Sequence, residues 1–403
     1  MIFIKVVAVL CLALIVLASV GDRLVEYQNC VSDCALLLSC ASIEQTKTVS
    51  VRKSVEKEKI IKNKRLKIGK FSIGKSHGKT SSYTKDDFLN RHRISSVPKV
   101  IFSWDCLLDC KYKCTQLVTE EREKEGLPVV QFNGKWPFRR IFGITEIMLC
   151  LFSIGNWYAT WINLGKIRRQ YSSNLRTSSS CATIYLQYLY LICGSLAGWL
   201  FSVIFHTRDY PWTETLDYLG AAAIIMLNFN SIVVRYFGIF ESSKSKQRRV
   251  FQFCLIFAYL THCFKLYRSW DYVYNVYFNM FFGLFTIILW SLHSLRVNKL
   301  YKAYSVRINN SIQLLPYENK LFMKLSVVSL AKTKYIPLLP IFLNLWILFG
   351  MSFELFDFPP FLKLVDAHCL WHLFTILPSL IWYDWNIWDV ELMKLNLDLN
   401  KFL

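Results

Sequence analysis

The sequence predicts an all-α membrane protein, a seven-transmembrane helix bundle with an N-terminal lumenal cysteine-rich head. Three observations predict it. The 403 residues are 54% hydrophobic and 16% aromatic, too apolar for a soluble chain of this length. Several apolar runs reach the ~20 residues that cross ~30 Å of hydrocarbon. The formal charge of +20 gathers in one hydrophilic segment, about 45–100, and in the short loops between apolar runs. Basic loops beside membrane spans follow the positive-inside pattern. No zinc-finger spacing or compact basic domain accompanies them, so the charge does not imply a nucleic-acid partner.

Residues 1–20 read as a signal peptide, with Lys5 ahead of an apolar core from Val6 to Leu17 and small Ala18 and Ser19 near a cleavage point. The run also approaches spanning length, so an uncleaved anchor is the alternative. Residues 21–140 then form the lumenal head. Cys30, Cys34 and Cys40 make one group and Cys106, Cys110 and Cys114 a second. An even number in an oxidising compartment reads as three disulfides, whose pairing the spacing leaves open. A zinc site competes, but the C-x2-C pairs it favours are missing. Between the groups, 44–98 is rich in Lys, Ser and Arg and reads as a disordered, solvated insertion. Contact with anionic lipid headgroups is its functional alternative.

The bundle occupies 141–388, with spans near 141–163, 183–206, 216–237, 250–266, 273–295, 334–355 and 367–388. Lys166, Arg168, Arg169 and Arg176 follow the first span, and Lys244, Lys246, Arg248 and Arg249 the third. Arg296, Lys299, Lys302 and Arg307 follow the fifth. Those connections are therefore cytosolic, the head is lumenal, and 389–403 form a cytosolic tail. The Asn309-Asn310-Ser311 sequon falls on the cytosolic side, so glycosylation there would overturn this topology. Cys150, Cys181, Cys193, Cys254, Cys263 and Cys369 lie in or beside apolar runs and read as small core residues.

This topology gathers chemistry at one membrane depth. His368 and His372 sit four apart, one helical turn, at the start of the seventh span. Ser202 and His206 close the second span and Asp217 opens the third. Ionisable groups at such positions are costly to bury and point to a site. Three neutral imidazoles suit zinc, which leaves a fourth position for water and lowers that water's pKa to about 7. Asp217 would hold or deprotonate the water, and Ser202 would donate to an oxyanion or steady Asp217. The expected chemistry is attack on an ester or amide near the headgroup boundary. Singly, each residue has a plainer reading: a solvated histidine, a packing serine, a helix-start aspartate. Their coincidence carries the argument. Two other patterns carry nothing. No Gly-x-Ser-x-Gly elbow occurs, and the Gly69–Ser76 match to a phosphate loop lacks a flanking strand and helix.

Ser202-x3-His206, Asp217 and His368-x3-His372 resemble the CREST superfamily of membrane hydrolases and receptors, which includes alkaline ceramidases and adiponectin-type receptors. Further motifs are similar to the family that remodels GPI lipid after its attachment to proteins. They are Phe205-His206-Thr207-Arg208-Asp209, Asp217-Tyr218, Asp357-Phe358-Pro359-Pro360 and Asp366-Ala367-His368-x-x-Trp371-His372. In the head they are Trp104-Asp105-Cys106-x-x-Asp109-Cys110-Lys111-Tyr112-x-Cys114 and Gly134-Lys135-Trp136-Pro137-Phe138. The resemblance implies a phospholipase that removes the sn-2 acyl chain from the phosphatidylinositol part of GPI-anchored proteins. It also implies residence in the endoplasmic reticulum membrane, with the Golgi second. A non-enzymatic receptor or a sorting and folding factor for GPI-anchored cargo is the competing class. A ceramidase-like amidase is the third reading, and the cysteine-rich head argues against it.

Overall fold

The computed structural model describes residues 19–40, 83–307, 315, 317–327 and 332–401. The signal peptide up to residue 18, the basic segment as far as residue 82 with its Gly69–Ser76 run, and the Asn309 sequon lie outside the described residues. The chain divides into two compact units, one ending at Ile144 and the other beginning at Thr145.

The first unit holds a 3-10 turn, Val20–Arg23, and four helices: α1 (Val25–Leu37), α2 (Lys85–Asn90), α3 (Ser96–Ile101) and α4 (Cys106–Lys124). Cysteines four apart lie on one helical face, so Cys30 and Cys34 of α1 can meet Cys114 and Cys110 of α4 together. The structure pairs Cys30 with Cys114, Cys34 with Cys110, and Cys40 with Cys106, a nested antiparallel set. Phe88, Leu117, Val118 and Phe132 complete a small core that the disulfides reinforce. Arg140 lies 4.4 Å from the Trp104 ring centroid and 4.1 Å from that of Tyr112, and pairs with Asp109 at 2.8 Å. Burial pushes the Tyr112 phenol up.

One expectation is corrected here. The end of the basic segment is ordered: Thr84 and Asp87 cap α2 reciprocally, and Phe88 is fully buried. Lys113 Nζ donates to the Phe88 carbonyl at 2.6 Å. Window composition read this stretch as solvated because one buried aromatic ring is outvoted by its charged neighbours.

The long elements of the second unit are all helices; its described connections include an isolated antiparallel bridge between Phe361 and Val365. Its elements are α5 (Ile147–Thr177), α6 (Ser179–Thr207), α7 (Pro211–Tyr236), α8 (Ser245–Arg268), α9 (Tyr272–Arg307), the short α10 (Glu318–Val327), α11 (Leu339–Phe356) and α12 (Ala367–Lys401). Among the described residues, six helices are long and apolar enough to cross a membrane, and they correspond to the first six predicted spans. The seventh, α12, has the length at 35 residues. Its two histidines and its buried Asp384, Asn386 and Asp389 reduce its apolar character. It packs against α5 and α11. It also runs past the predicted boundary at 388: Asp389, Val390 and Leu392 are buried, so these residues are core and not a free tail. The cysteine reading needs a second correction. Cys150, Cys181 and Cys369 are buried, whereas Cys193 and Cys254 are exposed. An apolar run in a membrane helix includes its outward face, so hydropathy alone does not place a residue in the core.

Two close approaches set the helix positions. A Cβ on Gly220 of α7 would lie 3.0 Å from the Gly198 Cα of α6, so the two backbones cross with no room for side chains. Likewise a Cβ on Gly350 of α11 would meet Phe374 Cβ of α12 at 2.6 Å. Pro378 inside α12 cannot donate to the Phe374 carbonyl one turn back. Trp346 Nε1 of α11 donates to that carbonyl instead, at 2.8 Å.

Two outcomes check this fold. Non-reducing peptide mapping is expected to recover the three nested disulfides, and the Cys34→Ser/Cys110→Ser pair is expected to destabilise the head by about 2–5 kcal/mol in denaturation. Gly350→Leu is expected to destabilise the bundle by about 1–3 kcal/mol in detergent melting through overpacking. Gly283→Ala, where an added Cβ meets nothing within 4 Å, is the control and is expected to be neutral or slightly stabilising.

Candidate functional site

The second unit brings His206, at the end of α6, together with His368 and His372, at the start of α12. One ring nitrogen from each lies within 4.8 Å of the other two. The ring centroids stand 5.5, 5.2 and 4.7 Å apart for the pairs 206/368, 206/372 and 368/372.

Each imidazole is fixed through its Nδ1. That of His206 lies 2.7 Å from Glu146 Oε2, that of His368 lies 2.7 Å from Glu354 Oε2, and that of His372 lies 2.9 Å from Ser153 Oγ. A carboxylate only accepts, so the two glutamates place the proton on Nδ1 of His206 and His368. The Nε2 lone pairs are then left to converge. His206 Nε2 is buried and has no hydrogen-bond partner. A buried acceptor left bare beside two more imidazoles is what a metal ligand requires. The all-nitrogen donor set suits zinc, and an oxygen-anchored Nδ1 on each ligand matches the usual support around such an ion. Cys40, Cys106 and Cys110 also lie close together, but all three are in disulfides and have no thiolate to offer.

His206 and His372 are buried, whereas the side chains of His368 and its partner Glu354 are each 36% exposed. The cluster therefore opens on the His368 side. Ser202 is buried, and its Oγ lies 3.2 Å from Ser153 Oγ, so the two hydroxyls and His372 form one chain. Asp217 is half-buried in the second turn of α7. Asp366 Oδ1 accepts from the Cys369 backbone N–H at 2.8 Å and caps α12 just ahead of His368. Burial pushes the Asp366 carboxyl up to about 6.

Residues 96–390 match the Per1-like family, which is well over half of the chain. The chain belongs to the Per1-like family. It is 35% identical over 300 residues to Protein PER1 of Saccharomyces cerevisiae, a match covering 72% of this chain and 78% of the relative. It is 30% identical to Post-GPI attachment to proteins factor 3 of Drosophila melanogaster, covering 70% of this chain and 74% of that one. It is 29% identical to the GPI-specific phospholipase A2-like PGAP3 of Xenopus tropicalis, covering 74% and 81%. The family and these names agree with the resemblance read from the motifs. No solved structure matches the chain.

The Per1-like match contains every member of the histidine site. It also contains three that the sequence reading did not single out: Glu146, Glu354 and Ser153. Glu146 lies within the first predicted span, directly before α5, and Glu354 stands inside the sixth, where a carboxylate is rare enough to flag a site. Ser153 opens a polar stripe, Ser153, Asn156, Thr160 and Asn163, whose spacing of three, four and three is helical. That stripe was the available signal.

Zinc titration of the purified Per1-like protein, read by elemental analysis, checks the arrangement. Glu146→Gln, Glu354→Gln and Ser153→Ala are each expected to weaken retention by about 10–100-fold. His206→Ala is expected to lose it, with the melting temperature separating ligand loss from unfolding.

Proposed function

We propose that this protein is a GPI-anchor lipid-remodelling hydrolase that cleaves the sn-2 acyl ester of the phosphatidylinositol part of GPI-anchored proteins. The observation that carries the reading is the set of three convergent imidazoles, each held at Nδ1 by an oxygen on another helix. The names of the relatives supply the substrate class: one is a GPI-specific phospholipase A2-like protein and another a post-GPI attachment factor. We further propose that α12 is a seventh span. The basic connections support a lumenal histidine end, and the resemblance to GPI-remodelling proteins supports an endoplasmic reticulum membrane, with the Golgi second.

His206, His368 and His372 would hold zinc, which when bound supplies Lewis acidity and an activated water. The chain's own residues do the rest. Glu146, Glu354 and Ser153 hold the imidazoles at Nδ1 and aim them. Asp217 accepts the proton of the attacking water as the oxygen bonds to the acyl carbon. It returns that proton to the glycerol oxygen as the ester bond breaks, which gives a free fatty acid and a lyso-lipid. Ser202 donates toward the carbonyl oxygen as negative charge develops there. The exposed edge at His368 and Glu354 admits the ester, while burial of His206 and His372 keeps bulk water from the far side.

Mass spectrometry of a phosphatidylinositol-type GPI lipid incubated with the purified protein in detergent tests the reading. The wild type is expected to release fatty acid and lyso-lipid. His368→Ala is expected to release none while melting normally, and Asp217→Asn is expected to lose about 100-fold or more. Absence of product from a folded, zinc-loaded wild type would select the receptor or sorting-factor reading, with the histidines structural.

A further inference from the structure

Asp384 lies in α12 twelve residues beyond His372, about 18 Å further along the helix axis, and its side chain is fully buried. Three ammonium groups converge on it. Lys166 Nζ of α5 donates to Oδ1 at 2.9 Å, Lys320 Nζ of α10 donates to the same oxygen at 3.2 Å, and Lys324 Nζ of α10 donates to Oδ2. Charge neutralisation does not require three. Five residues on, buried Asp389 takes a single cation, Arg235, in a two-point pair at 2.7 and 3.0 Å, with His293 as a further donor at 3.1 Å. Among the described residues, three positive groups around Asp384 face one negative group, a formal surplus of +2.

The donors are also in surplus. Each ammonium carries three N–H groups, nine in all. Lys166 uses two, on Asp384 and Asn163 Oδ1; Lys324 uses two, on Asp384 and the Leu380 carbonyl; Lys320 uses one. Four remain. The lysines open outward in order: their side chains are 16%, 29% and 44% exposed for Lys166, Lys324 and Lys320. Packing holds them there. Leu321 and Leu325 of α10 are buried in the bundle core, which fixes the face carrying Lys320 and Lys324. Three like charges kept close, with idle donors and an open side, are stabilised when an anion with several acceptor oxygens joins them.

We propose that Lys166, Lys320 and Lys324, drawn together by Asp384, form a binding site for a phosphate group, carried by an anionic phospholipid headgroup or present as free phosphate. The site lies at the end of the bundle away from the histidines. It does not depend on the chemistry proposed there.

Two measurements on the full-length protein in detergent test it. Native mass spectrometry compares retention of phosphatidylserine with that of phosphatidylcholine, and calorimetry measures binding of inorganic phosphate. Each is run on the wild type and on Lys320→Gln/Lys324→Gln, which leaves Lys166 to pair Asp384. The wild type is expected to retain phosphatidylserine preferentially or to bind inorganic phosphate, and the double variant to weaken that binding by roughly tenfold or more. Preference for the lipid that survives millimolar phosphate assigns a headgroup; calorimetric binding without lipid preference assigns a soluble anion. Equal binding by wild type and variant overturns the proposal, as does a wild type that binds neither. If the double variant melts early, Lys320→Gln alone, at the most exposed position, makes the same comparison.

Discussion

A polar side chain inside an apolar bundle must find its partner on another helix, and the seam between α5 and α12 is built from that requirement. Ser153 meets His372 Nδ1. Asn156 donates to the His372 carbonyl at 2.8 Å, Asn163 to the Ser379 carbonyl at 3.0 Å, and Lys166 to Asp384 at 2.9 Å. These contacts run down one face of α5 and fix both the register and the rotation of α12. A shift of α12 by one residue would break all of them together and turn both histidines away from His206. Leaving such groups unpaired costs about 1–3 kcal/mol each, which opposes sliding of the seam.

The rest of the histidine site depends on that seam. With α12 fixed, the close packing at Gly350 brings α11 near enough for Glu354 to reach His368. The crossing of Gly198 and Gly220 sets α7 against α6, with Ser202 one turn along one helix and Asp217 one turn along the other. Glu146 reaches His206 from the start of α5, and its backbone N–H donates to the His206 carbonyl at 3.3 Å. The groups at the site thus come from five helices or their ends, positioned by contacts between small residues and by hydrogen bonds rather than by apolar burial. Hydrophobic packing has little preference for one rotation over another inside a bilayer; directional contacts do.

The same seam joins two ends of different character. At the histidine end, three imidazoles are held at Nδ1 by oxygens, and His206 presents a buried Nε2 with no hydrogen-bond partner. At the other end, Asp384 gathers ammonium groups that present idle donors. One end fits an electrophilic cation and the other an anion. Both lie on α5 and α12, so a substitution in the stripe from Asn156 to Asn163 bears on each of them.

The sequence by itself determined the membrane class, the apolar stretch of each long helix, and the histidine and cysteine sets, because each is written in local spacing; it did not give the helix ends, since α5 runs to Thr177 and α9 to Arg307, well past the predicted span ends at 163 and 295. Residues four apart share a helical face, and apolar length measures a bilayer. Only the tertiary structure decided which cysteine meets which. It also decided that Phe88 anchors a charged stretch, that Cys193 and Cys254 face outward, and that α12 stays packed beyond residue 388. Glu146, Glu354 and Ser153 became legible the same way. A side chain's own periodicity says which way it points, but its partner sits on another helix, and which helices adjoin is settled by packing over the whole bundle.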